Sequence, residues 1–142
     1  MILYIHGFNS SSASFKAKVL QQQLAGSGID FAAPDLSHWP LQAIAQLEAV
    51  IAQAKDRVTL VGSSLGGYYA TWLAEKHGLK AVLINPAVVA SLPFADFVGS
   101  HTNLYTGERF EFTPGHVDEL RRIEVAEIRQ PERFWLLVET AD

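Results

Sequence analysis

VTLVGSSLGGYYATWLAEKHGLKAVLIN, residues 58–85, decides the fold. Its first part, VTLVG (58–62), is apolar without alternation, the pattern of a strand covered on both faces. From Leu65 the apolar residues recur at helical spacing as far as His77, and Gly78 closes the helix. KAVLIN (80–85) is a second continuous apolar run, stopped by Pro86. Strand, helix and strand in this order predict a parallel pair joined by a crossover, and hence an α/β domain with helices on both faces of the sheet.

The same rhythm extends towards the N-terminus. ILYI (2–5) reads as a strand ending at His6-Gly7, followed by a Ser/Asn-rich loop in which Ser14 can cap a helix. Phe15, Val19, Leu20 and Leu24 are expected on one face of that helix, and GSG (26–28) stops it. IDFAAP (29–34) predicts another strand, leading through DLSHW (35–39) to a helix begun by Pro40, with Ile44, Leu47, Ile51 and Ala54 inward. Beyond Pro86 the rhythm breaks. Residues 86–133 read as an insertion or lid, with a turn or hairpin in NLYTGERFEFTPG (103–115) and a short charged helix around Val117 to Val125. RFWLLVET (133–140) predicts a fifth strand. The expectation is one three-layer α/β/α domain over residues 1–142, with a mostly parallel sheet.

Composition narrows the function. The chain has 142 residues, 49% of them apolar and 18% charged, with a net charge of -4. That balance lacks the basic excess that nucleic acid or an anionic membrane surface would favour. With 0 cysteines there is no disulfide framework, thiolate metal site or cysteine nucleophile, and the N-terminus MILYIHGFNSS has no charged leader followed by a long apolar stretch. No run approaches a membrane span. These features predict a soluble cytoplasmic protein.

The chemistry centres on GSSLG (62–66), which fits G-x-S-x-G with Ser64 at its centre. A serine hydroxyl becomes a useful nucleophile when a sharp strand-to-helix turn presents it, and Gly62 and Gly66 relieve crowding around that turn. Glycine and serine are common, so the bare pattern is weak and a tight glycine turn is its bland alternative. The apolar strand before it and the helix after it are the context the motif requires. Ser63 is the competing hydroxyl. Acyl transfer also needs two backbone N–H donors for an oxyanion; Leu65, after the nucleophile, supplies one, and HGF (6–8) supplies the other through Phe8. His6 and Gly7 then serve to orient that loop. Dinucleotide binding fails on glycine spacing, although Asp35 stands where a ribose-binding acid could, and a P-loop fails for want of the lysine.

In the chain order of such sites an acid follows the nucleophile after a later strand, and a histidine comes last. Asp142 stands just after the fifth strand, at the carboxyl edge, and is the expected acid. No histidine follows it. Of the five histidines, His77 suits a helix C-terminus, His116 is expected to face water at the start of the charged helix, and His38 suits a pocket wall beside Trp39. His101 lies in the insertion and His6 in the loop after the first strand.

LYIHGFNSS (3–11), LVGSSLGGYYATWLAE (60–75), INPAV (84–88), YTGERF (105–110) and FWLLVETAD (134–142) together resemble the YqiA/YcfP-type esterases of the α/β-hydrolase superfamily. The resemblance implies a serine esterase or thioesterase acting on small-molecule acyl esters with neither metal nor organic cofactor, with Ser64 as nucleophile, Asp142 as acid, and Phe8 and Leu65 as oxyanion donors. It also implies that the last helix and strand of the fold, and the loop carrying the catalytic histidine, belong after residue 142. Trp39, Tyr68 and Pro86, with Phe8, are the expected wall of an acyl pocket. The alternative is a non-catalytic domain that binds an acyl ligand or a protein through the same cleft.

Overall fold

The computed structural model describes residues 1–87 and 95–140. Its main sheet has five parallel strands: β1 (Ile2–Ile5), β2 (Phe31–Ala32), β3 (Thr59–Ser63), β4 (Lys80–Ile84) and β7 (Phe134–Leu137), in the spatial order β2-β1-β3-β4-β7. Between them run helices α1 (Phe15–Leu24), α2 (Pro40–Gln53) and α3 (Leu65–His77), and between β4 and β7 lie an antiparallel pair, β5 (Gly99–Thr102) and β6 (Arg109–Phe112), and helix α4 (Pro114–Arg122).

Strand parity separates the layers, because successive side chains point to opposite faces. Leu3, Ile5, Leu60, Ala81 and Leu83 face α2, α3 and α4 and form the larger core with Ile44, Leu47, Leu73 and Leu120. Tyr4 and Val61 face the other way and meet Ala17 of α1, with Val82 and Ile84 partly covered beside them. The result is the three-layer arrangement expected from the strand-helix-strand pattern.

Local rules set most boundaries. The Ser14 side chain accepts from the Ala17 N–H and starts α1. Pro40 opens α2, as its missing N–H allows at the first helical position. Gly78 ends α3 in the left-handed region (φ 66°), and the charge of Lys76 in the last turn suits the helix C-terminus.

Four expectations need correction. The second strand is only Phe31–Ala32, because it is an edge that pairs with β1 alone and Pro34 has no N–H to extend the ladder. Phe15 is 77% exposed while Ala17 is buried, since two residues rotate a helix by about 200° and Ala17 with Leu20 holds the sheet side. The charged helix starts at Pro114 rather than near Val117, because Thr113 caps it and proline fits its first turn. The last strand pairs only through Phe134–Leu137, and Trp135 is 67% exposed at this edge of the sheet.

Candidate active site

Ser64 stands between the end of β3 and the start of α3 with φ 55° and ψ −116°, a strained conformation for a residue with a side chain. The turn is enforced from both sides. The Ser64 N–H donates to the Ile84 carbonyl at 3.0 Å, while the Ser64 carbonyl accepts from Gly67 and Ala87 N–H groups at 3.0 Å each. A methyl group on Gly62 would come within 2.2 Å of the Gly66 carbonyl oxygen, and one on Gly66 within 2.0 Å of the Ile5 carbonyl oxygen. No side chain fits at either position, so the two glycines are what lets α3 start this close to β1 and β3. Ser64 itself is exposed, and its Oγ makes no hydrogen bond among the described residues. Ser63, the competing hydroxyl, is half-buried at the end of β3.

The loop after β1 passes directly over this turn. A methyl group on Gly7 would lie 3.3 Å from Ser64 Cβ and 3.9 Å from Ser64 Oγ. His6 holds that loop with both ring nitrogens: Nε2 accepts from the Leu36 N–H at 3.1 Å, so Nδ1 carries the proton and donates to the Gly7 carbonyl at 2.9 Å. Because a trans peptide is planar with its C=O and N–H opposed, fixing the Gly7 oxygen fixes the direction of the Phe8 N–H. Burial pushes the His6 pKa below its ordinary value, which keeps the ring in this neutral form. Leu65 is the first residue of α3, where an N–H has no preceding helical turn to donate to. Asp35 supports the loop as well, its carboxylate accepting from the Ser12 N–H at 2.8 Å.

The Phe8 ring enters an aromatic cluster with Phe97, Phe110, Phe112 and His101 at centroid distances of 5.1, 5.8, 5.3 and 5.0 Å. The expected pocket residues separate in space. Tyr68 and Pro86 line an apolar cavity of about 410 Å³ with Thr71, Leu83, Phe134 and Leu136. Trp39 instead lies flat on the His116 ring at 3.6 Å, beside a different groove formed with His38, Glu108 and Phe110. Phe8 belongs to neither, lining a small cavity of about 30 Å³ with His6, Gly7 and Leu65.

Every histidine is engaged away from Ser64. His38 stacks on Phe110 at 3.7 Å and approaches Glu108 at 3.3 Å. His77 meets Glu48 at 2.8 Å, and His101 Nε2 contacts the Phe97 carbonyl. His116 does not face water: it is 2% exposed, and its Nδ1 accepts from the Thr113 N–H at 2.9 Å within the helix cap. Asp142 lies outside the described residues. Among the described residues no group of three or more His, Asp or Glu is arranged to hold a metal ion, and no helix is long and apolar enough to cross a membrane.

Sequence reasoning passed over Asn9 and Asn103, which tie this loop to the β5–β6 pair. Asn9 has φ 57°, and Asn103 precedes the turn residues Leu104 to Gly107. The second is a recognisable signal for a side chain that folds back on its own turn.

The pattern of the uncharacterised protein family UPF0227 matches residues 1–142. A UPF0227 protein of Shewanella woodyi is 33% identical over 90 residues, covering 61% of this chain and 50% of its own, and one of Serratia proteamaculans is 30% identical over 94 residues with the same coverage. The chain thus spans about half the length of these curated relatives. Among solved structures, a monoacylglycerol lipase of Paleococcus ferrophilus superposes with a TM-score of 0.70 at 19% identity, over 96% of this chain and 72% of its own. Mouse alpha/beta hydrolase domain-containing protein 10 does so with a TM-score of 0.64 at 18% identity, over 87% and 61%. The strand order, the turn at Ser64 and the match over the whole sequence agree: the chain belongs to the uncharacterised protein family UPF0227 and has the fold of the α/β-hydrolases.

Proposed function

We propose that the protein is a serine hydrolase of carboxylic esters or acyl thioesters. The observation that carries this reading is the strained, exposed Ser64 at the glycine-lined turn, with the Gly7-Phe8 loop packed against its side chain. A non-glycine residue held in a rare backbone conformation is costly, and presentation of a nucleophile accounts for that cost. The solved structures of similar fold include a monoacylglycerol lipase and a pyrethroid hydrolase.

In this mechanism Ser64 Oγ attacks the acyl carbonyl and a base takes its proton. The carbonyl oxygen becomes an oxyanion facing the N–H groups of Phe8 and Leu65. The carbon–oxygen or carbon–sulfur bond then breaks, and the base returns the proton to the leaving alcohol or thiol. Water attacks the acyl-serine by the same route, releasing the carboxylic acid and restoring Ser64. Asp142 is assigned to orient the base. The five histidines engaged elsewhere leave none at Ser64, so the base is assigned to the half of the family's length that this chain does not span. The Tyr68 and Pro86 cavity begins beside the turn, through the Ala87 N–H bonded to the Ser64 carbonyl, and is the proposed acyl site.

The same engaged histidines favour one competing reading, a non-catalytic domain that binds an acyl ligand. Hydrolysis of p-nitrophenyl butyrate separates the two. In a family-length protein containing this chain, turnover is expected and Ser64→Ala is expected to abolish nearly all of it. Equal turnover by Ser64→Ala would sink the assignment. The chain of residues 1–142 alone is expected to label only slowly with a fluorophosphonate, because an unactivated serine is a feeble nucleophile.

A further inference from the structure

We propose that the β5–β6 pair is a positioning element for the oxyanion loop, and that Asn103 is the residue through which it acts. This rests on the hydrolase reading above. Two side-chain bonds cross between the loop and the hairpin in opposite directions: Asn9 Nδ2 donates to the Thr102 carbonyl at 2.9 Å, and Asn103 Nδ2 donates to the Ser10 carbonyl at 2.9 Å. Consecutive loop residues are thereby locked to consecutive hairpin residues. Asn9 directly follows Phe8 and sits at φ 57°, so the bond to Thr102 helps hold a conformation that a free loop would leave.

Asn103 is built for this task. It is 4% exposed, and both ends of its amide are used: Oδ1 accepts from the Tyr105 N–H at 2.9 Å and the Thr106 N–H at 3.1 Å, while Nδ2 donates to the Ser10 carbonyl. The turn of the hairpin closes on the Asn103 backbone as well, through Gly107 N–H to the Asn103 carbonyl at 2.9 Å and Asn103 N–H to the Glu108 carbonyl at 2.8 Å. One end of the amide fixes the turn and the other fixes the loop. The hairpin also holds the Phe8 ring, through Phe110 and Phe112 of β6 and His101 of β5. His6 sets the Gly7-Phe8 peptide from the strand side, and the hairpin sets the residues that follow. The Phe8 N–H is thus anchored on both flanks. A donor displaced by about 1 Å loses on the order of a hundredfold in rate, which is what such anchoring prevents.

Asn103→Asp tests this, because a carboxylate keeps both acceptor bonds to Tyr105 and Thr106 while the donor to Ser10 is replaced by an oxygen that repels the Ser10 carbonyl. In the chain as it stands, two quantities decide: ¹⁵N relaxation of Phe8, Asn9 and Ser10, and the phosphonylation of Ser64 by a fluorophosphonate, resolved by mass spectrometry into its limiting rate and half-saturating concentration. Asn103→Asp is expected to lower the heteronuclear NOE of Phe8 to Ser10 while leaving Tyr105 and Thr106 unchanged. The limiting rate should fall about tenfold, within the range that donor misplacement costs, with the half-saturating concentration within about twofold. Wild-type relaxation at Phe8 to Ser10, or an unchanged limiting rate, overturns the proposal. If Ser64→Ala labels as fast as the wild type, the hydrolase reading fails, and the relaxation data still decide whether the hairpin holds the loop. Should Asn103→Asp not fold, Asn9→Asp tolerates the positive φ, removes the donor to Thr102 without freeing the backbone, and is expected to act in the same direction.

Discussion

Alanine at Gly66 and alanine at Gly115 should have opposite effects, although both add one methyl group to the first turn of a helix. At Gly66 the methyl carbon would stand 2.0 Å from the Ile5 carbonyl oxygen and 2.8 Å from that of His6. Carbon and oxygen in contact need about 3.3 Å, so α3 would have to retreat from β1 by roughly 1.3 Å. Its first turn carries the buried Leu65, Tyr68 and Tyr69, and moving it opens the core on that side. Overpacking of this kind costs about 1–3 kcal/mol, and a clash with backbone belongs at the upper end. For a chain of this size each kcal/mol is about 3–4 °C of melting temperature, so Gly66→Ala should melt about 10 °C below the parent. At Gly115 the nearest atom is Thr113 Oγ1 at 3.4 Å, followed by Trp39 ring carbons at 3.6 and 3.8 Å, which are ordinary contacts. There alanine gains helix propensity of up to about 1 kcal/mol, and the melting temperature should rise by about 2–3 °C. Thermal unfolding followed by circular dichroism measures both. If Gly66→Ala melts within about 2 °C of the parent, the close approach of β1 and α3 described above is wrong.

Two further outcomes follow from buried polar groups. Tyr68→Phe removes a hydroxyl that donates to the Leu120 carbonyl at 2.6 Å, tying α3 to α4, and should cost about 1 kcal/mol in denaturant unfolding; no loss would mean the bond contributes nothing net. His6 has its pKa lowered by burial, so the unfolded chain binds more protons at this residue as pH falls. Its contribution is fully present above the unfolded pKa of about 6.5 and is lost as pH drops through the folded value. The melting temperature of the parent should therefore fall between pH 7.5 and 5 more steeply than that of His6→Gln, and parallel pH profiles would exclude this role for His6.

The parts of the fold legible in the sequence are those governed by interactions within a few residues. Helix α3 is bounded by the turn at Ser64 and by Gly78, both set by backbone sterics, and its limits agree with the reading of residues 65–77. Pro40 and Ser14 mark helix starts for equally local reasons. The misread elements depend on what lies across from them. Phe15 looks apolar and therefore inward, yet Ala17 and Leu20 are the α1 residues that pack against Tyr4 and Val61 of the sheet. His116 is followed by charged residues in the sequence, and its burial comes from the Trp39 and Phe112 rings packed against it.

By itself the sequence determined the alternation of strands and helices and the glycine-lined turn that presents Ser64, because glycine sterics and helix caps act locally, without reference to packing. The tertiary structure alone decided that Tyr68 and Pro86 share a cavity from which Trp39 is absent. It alone decided that each histidine is engaged away from Ser64. It also brought Asn9 to Thr102 and Asn103 to Ser10, contacts between residues 93 positions apart. Contacts at that separation depend on how the hairpin packs over the sheet, and no local pattern encodes them.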